Sequence, residues 1–235
     1  MPSSFSTDLK IELMVTGENA GTWGTKTNDN LAVIQQAIVG YESIAVNATT
    51  GTTLVMSNSP TLSNARNAVL NLTGTLAGNV DVTVPASIEK TYLVNNQVTQ
   101  GAFTLTFKTA GGTGIKLAQG NRYVLYSDGT NVNLISMEQT WRTVSSAATV
   151  QPGAGIIAQT NTTSFTVTLP ASPATGDFVS FIDGKYTFDT KPLTVGRNGS
   201  NIANTAADLV VNTEGAGFTL VYSGDATVGW TYRDK

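Results

Sequence analysis

Hydrophobic positions along the chain change their spacing once. Leu31, Ile34 and Ile38 recur at helical intervals, Thr27 or Asn28 stands where an N-cap belongs, Asp29 suits the positive end of a helix dipole, and Gly40 marks a stop. From about Tyr41 onward the period becomes two. Ala68, Leu70 and Leu72 alternate with Val69, Asn71 and Thr73, and Phe103, Leu105 and Phe107 alternate with Thr104, Thr106 and Lys108. Phe165, Val167 and Leu169 share one face of a later strand, and Val228, Trp230 and Tyr232 share a face of the last one. Turn signals separate these runs at Gly111-Gly112, Ser127-Asp128-Gly129-Thr130-Asn131, Asn198-Gly199-Ser200 and Ser223-Gly224-Asp225. The pattern predicts a mainly β protein with one helix near its start.

An internal repeat divides the β part. Val82-Thr83-Val84-Pro85-Ala86-Ser87 returns as Val167-Thr168-Leu169-Pro170-Ala171-Ser172 with one substitution. Leu105-Thr106-Phe107 then corresponds in order to Leu193-Thr194-Val195, and Val124-Leu125-Tyr126 to Leu220-Val221-Tyr222. The expected architecture is two small antiparallel β-sandwich or barrel-like modules preceded by a short helical N-terminal segment. The boundaries it implies are a helix-containing attachment or oligomerisation segment over residues 1–41, a first module over 42–142 and a second over 143–235.

Composition narrows the chemistry. Of 235 residues, 40% are hydrophobic but only 12% charged, about half the share usual in soluble domains, so solvation rests on Thr, Asn and Ser. Cys and His are both absent, which excludes disulfides, thiol nucleophiles, imidazole bases and the usual zinc or iron ligands. The net charge is −3 and the cationic residues are scattered, so no basic stripe predicts a nucleic-acid partner. A polar start and the lack of a long apolar run predict a chain made in a cytoplasm and not inserted in a membrane.

Three features invite a site assignment. The acids Asp177, Asp183 and Asp189 supply the residue type a glycosidase pair needs, but Asp177 and Asp183 each adjoin a glycine, as turn residues do. The Asp128–Asn131 stretch lacks the repeated acids of a calcium loop and reads as a hairpin turn. Neither a catalytic residue, a metal ligand nor a cofactor site is therefore expected. The aromatics Tyr186, Trp230 and Tyr232, with Phe188, suit a glycan-stacking surface and equally a strand core. Trp23, set among Gly17, Gly21 and Gly24, joins Leu31, Ile34 and Ile38 as a candidate assembly surface. Folding back onto its own domain and docking on a neighbour both satisfy that pattern.

The stretch Leu9-Lys10-Ile11-Glu12-Leu13 followed by Thr16-Gly17-Glu18-Asn19-Ala20-Gly21-Thr22-Trp23-Gly24-Thr25 resembles the N-terminal signature of tail-fibre and related virion proteins of tailed phages, particularly those of marine bacteria and cyanobacteria. The second module is similar to a β module of such fibres through Val167–Pro173, Gly176-Asp177, Leu193–Ser200 and Thr219–Tyr222. The resemblance implies a structural role on the virion, frequently as a homotrimer, with other virion proteins and a host surface glycan as partners. It carries no catalytic residue. A capsid decoration protein is the alternative expectation, and a polysaccharide-degrading tail enzyme a more distant one.

Overall fold

The computed structural model describes residues 3–234. They form two compact units. The first holds the chain through Thr99 together with Leu105–Ile115 and Arg122–Glu138; the second holds Gln100–Thr104, Lys116–Asn121 and the chain from Gln139 onward.

In the first unit the antiparallel pair β1 (Ser4–Phe5) and β2 (Glu12–Leu13) precedes the helix α1 (Trp23–Val39), so the helix does not lead the chain as expected. It also begins a turn earlier than the sequence suggested. Thr27 does not cap it, because its hydroxyl donates back to Trp23 O, and Thr22 takes the N-cap position without a side-chain cap bond. Gly40 does end it: its N–H bonds to Gln36 O at 2.9 Å, and a Cβ there would collide with that carbonyl and with the Asn67 side chain.

The chain then coils between two sheets. Strands β3 (Tyr41–Ala45), β5 (Val69–Thr73) and β7 (Glu89–Asn96) pair in parallel on one side, while β4 (Thr52–Thr53), β6 (Val80–Val84) and β8 (Leu105–Thr109) pair in parallel on the other. After β9 (Gly114–Lys116), which extends the second sheet beside β8, strands β10 (Arg122–Asp128) and β11 (Val132–Glu138) close the first sheet in antiparallel fashion, β10 against β7 and β11 against β10. The second unit repeats this order. Strands β12 (Trp141–Val144), β13 (Ala148–Thr149), β14 (Gly155–Ala158), β15 (Phe165–Thr168), β16 (Phe178–Asp183) and β17 (Leu193–Gly196) alternate between two parallel stacks, β18 (Leu209–Val211) extends the one ending in β17, and β19 (Gly217–Tyr222) and β20 (Trp230–Asp234) close the other.

Each unit is thus a short β-solenoid of three coils, and the expected antiparallel sandwich or barrel modules are not what forms. Period-two alternation identifies a strand and its buried face, but parallel and antiparallel partners bury that face equally well, so the pattern is silent on pairing. The repeated segments nevertheless fall on equivalent strands: β6 and β15, β8 and β17, β10 and β19. The shared Pro-Ala-Ser is a corner of the coil, with Ser87 and Ser172 both in the left-handed region at φ 62° and 48°.

Stacking in register shows on the outer surface of the first sheet, where Asn95 Nδ2 donates to Asn71 Oδ1 at 2.7 Å and Asn71 Nδ2 to Ser43 Oγ at 3.4 Å. Between the sheets of the first unit lie Leu70, Leu72, Val82, Val84, Tyr92, Val94, Leu105, Phe107 and Leu125, with Tyr92 edge-on to Phe107 at 5.6 Å. The second unit buries Ile156, Val167, Val179, Phe181, Leu193, Val195, Leu220 and Trp230 in the same way.

Candidate assembly surface

Helix α1 is fixed to its unit by its polar side. Lys26 Nζ meets a nearly buried Glu12 carboxylate at 2.8 Å, and Asn30 brackets the Glu12 backbone, accepting from its N–H at 3.0 Å and donating to its carbonyl at 2.9 Å. The Lys26 bond holds the Glu12 carboxyl below its ordinary range against the opposing effect of burial, and Glu12 raises Lys26 in return. One turn from the end, Gln36 exchanges bonds with the Ser63 backbone at 3.0 and 3.3 Å. Val33 is the helix's one buried side chain.

Beneath this contact Arg66 is fully buried without a carboxylate. Its guanidinium donates to Leu9 O at 3.1 Å, Thr61 O at 2.8 Å, Gln36 Oε1 at 3.2 Å and Ser57 O. Burial pushes its pKa down, though an arginine starts high enough to stay charged. One cation thereby joins the segment after β1, the helix and the loop around Thr61.

The apolar stripe of α1 lies beside these contacts and turns its larger side chains outward. Trp23, Leu31, Ile34 and Ile38 lie along one stripe; Trp23 is 66% exposed, Ile38 68%, Leu31 is exposed and Ile34 half-buried. Val33 faces the body together with Lys26, Asn30 and Gln36, whereas the larger apolar groups Trp23, Leu31 and Ile38 face out, where a surface helix normally presents polar residues. Phe5, Leu13, Met14 and Tyr41 are exposed as well, so among the described residues eight of the seventeen exposed large hydrophobics precede Glu42. Met14, Thr16, Asn19 and Trp23 line a recess of about 450 Å³, where Asn19 Nδ2 is buried without a hydrogen-bond partner. The structure therefore brings Trp23, Leu31 and Ile38 together on an open face. The clamp of Glu12, Asn30, Gln36 and Arg66 escaped sequence reasoning; its only signal was Lys26, Asn30, Val33 and Ala37 recurring on the helix face beside the stripe.

The aromatics of the second unit separate. Trp230 is fully buried and edge-on to Tyr222 at 5.6 Å, so its ring is closed to a ligand. Tyr232 is half-buried against Phe218 at 6.0 Å, and Tyr186 is 69% exposed with φ 54°. Among the acids, Asp183 is saturated. Burial raises its pKa, but backbone N–H groups of Phe188, Lys185, Gly215 and Thr187 outweigh that and hold it low. Asp177 accepts from Ala174 N at 2.8 Å and is raised by burial. Asp128 accepts from Thr130 N and Asn131 N, and Asp225 from Thr227 N and Val228 N, each fixing the turn before the closing strand of its unit. Among the described residues no cluster of acids could hold a metal ion and no helix is long and apolar enough to cross a membrane.

No protein-family model and no curated protein matches the chain. Among solved structures, a chain described as "Structure of a chaperone-substrate complex" is similar at 14% identity with a TM-score of 0.38, over 81% of this chain and 32% of the other. The present chain spans about a third of that one, and a likeness so shallow carries no argument about fold or function.

Proposed function

We propose that the chain is a structural, non-enzymatic subunit of a tailed-phage virion, a tail-fibre or baseplate-associated protein that works by assembling with copies of itself, as a homotrimer, and with other virion proteins. The exposed apolar stripe of helix α1 carries this reading: a monomer gains nothing by holding Trp23, Leu31 and Ile38 in water on a helix clamped through Lys26 and Gln36. The signature resembling phage fibres runs through the same segment, from Leu9 to Thr25. Stacked β-coils suit a role that is mechanical rather than chemical.

Light scattering coupled to size exclusion tests the first half and immunogold labelling of purified particles the second. The expected results are a defined oligomer and label on the tail. A monomer at every concentration, together with unlabelled particles, would overturn the proposal; label on the head would replace it with the decoration reading. Contact with a host surface glycan is a secondary proposal, supported by the exposed Tyr186 ring beside Gly215 and by an adjacent recess of about 370 Å³ lined by Val210, Asn212, Thr213, Phe218 and Tyr232. Binding to a glycan array that survives Tyr186→Ala unchanged would dispose of it.

A further inference from the structure

The outer face of the first unit's five-stranded sheet carries a second unpartnered apolar feature. Tyr41, Val69, Leu93 and Val124 stand opposite one another across β3, β5, β7 and β10, with Ser136 of β11 completing the row. They floor a groove of about 530 Å³, bounded on one side by the Arg122–Glu138 ion pair. Tyr41 is 61% and Leu93 46% exposed, so the row is open to solvent.

We propose that this groove receives helix α1 of a second copy of the chain, in a head-to-tail contact that closes into a ring. Dimensions favour that occupant. From Trp23 to Ile38 the apolar stripe rises about 22 Å at 1.5 Å per residue. Four interstrand steps from β3 to β11 cover about 19 Å. One helix therefore spans the row from end to end and sets three or four large side chains against it.

The two surfaces cannot satisfy each other within one chain. Only Gly40 links α1 to β3, and Lys26, Asn30 and Gln36 hold the helix with its stripe turned outward, so both faces stay exposed at once. Tyr41 stands one residue beyond the Gly40 stop of the helix, which makes the groove continuous with the apolar surface already described. A contact between two different patches is heterologous, and it closes into a ring when the rotation between copies permits.

This inference rests on the self-assembly reading and is separable from it. Three variants are prepared: Leu31→Asp with Ile38→Asp, which spoils the helix stripe, and Leu93→Lys and Tyr41→Lys, each of which independently spoils the groove. All four positions are at the surface, and unchanged circular dichroism and thermal midpoints confirm folding. Light scattering is expected to find each variant monomeric by itself and an equimolar mixture forming a 1:1 pair, because one partner keeps its groove and the other its helix. Groove variants that keep the wild-type mass, or a mixture that stays monomeric, would overturn the helix-in-groove contact while leaving self-assembly standing. A monomeric wild-type protein would overturn both.

Discussion

Replacing Arg66 by Met tests the claim that one buried cation fastens the helix and the segment before it to the first unit. Met keeps most of the volume and removes every donor. The carbonyls of Leu9, Thr61 and Ser57 lose a charged partner each. An orphaned buried acceptor costs roughly 1–3 kcal/mol. Relief of the guanidinium's own desolvation offsets part of the sum, as when a buried ion is exchanged for an apolar group. The net expected loss is about 3 kcal/mol, a sizeable fraction of the roughly 5–15 kcal/mol that holds a domain folded. Hydrogen exchange followed by mass spectrometry reads the loss locally. Protection should fall at Ser59, whose N–H bonds to Lys10 O, and along α1, while the amides of Thr187 and Phe188 in the second unit stay protected. A change below about 0.5 kcal/mol, typical of an indifferent surface substitution, or equal deprotection of both units, would refute the clamp.

Other expectations are independent of it. Burial lowers Lys90 to about 8, with its ammonium 4.7 Å from the Tyr92 ring centre, so between that value and the unfolded value of about 10.4 the unfolded chain binds more protons and stability rises with pH. Tyr92 acts oppositely: burial raises its hydroxyl above the unfolded value of about 10, so stability falls beyond that pH. The thermal midpoint of the first unit should therefore climb from pH 8 and turn over near 10, and Lys90→Met should flatten the climb; a steady decline in the wild type over that range would contradict it. Asp183→Asn, which halves the acceptor capacity for four backbone N–H groups, should cost the second unit about 2 kcal/mol in urea titrations. The Asp183 contribution is present above the unfolded carboxyl pKa and lost as pH falls through its depressed folded value, so the variant and wild type should converge in acid. Gly155→Ala should displace Trp141, whose ring lies 2.9 Å from where the new Cβ would stand, and a red-shifted or quenched indole emission with a loss of about 1–3 kcal/mol is the measurable sign.

Local chemistry in the sequence determined a good deal. The strand positions at Leu70–Leu72, Leu105–Phe107 and Phe165–Val167 depend on side-chain period, the turn at Asp128 on a carboxylate that accepts from the next backbone N–H groups, and the helix stop at Gly40 on the lack of a Cβ that would meet Gln36 O, and all three are written in neighbouring letters. The repeat was legible for the same reason, since equivalent strands and a left-handed Ser corner impose the same local pattern twice. The helix start was misplaced because a hydroxyl at Thr27 serves a cap and a back-bond to the preceding turn equally well.

Only the tertiary structure decided which strands pair, and it chose parallel coils over antiparallel modules, because pairing joins residues some 14 to 30 positions apart whose alternation is the same under either arrangement. It also decided the fate of individual aromatics. Trp230 and Tyr232 share a strand face, yet the first is enclosed by the second unit's core and the second stops at its margin. The outward turn of Trp23, Leu31 and Ile38 is the sharpest case: their spacing predicts a common face, but which way that face points depends on Glu12, Ser63 and Arg66, held by contacts with Lys26, Asn30 and Gln36 that no periodicity records.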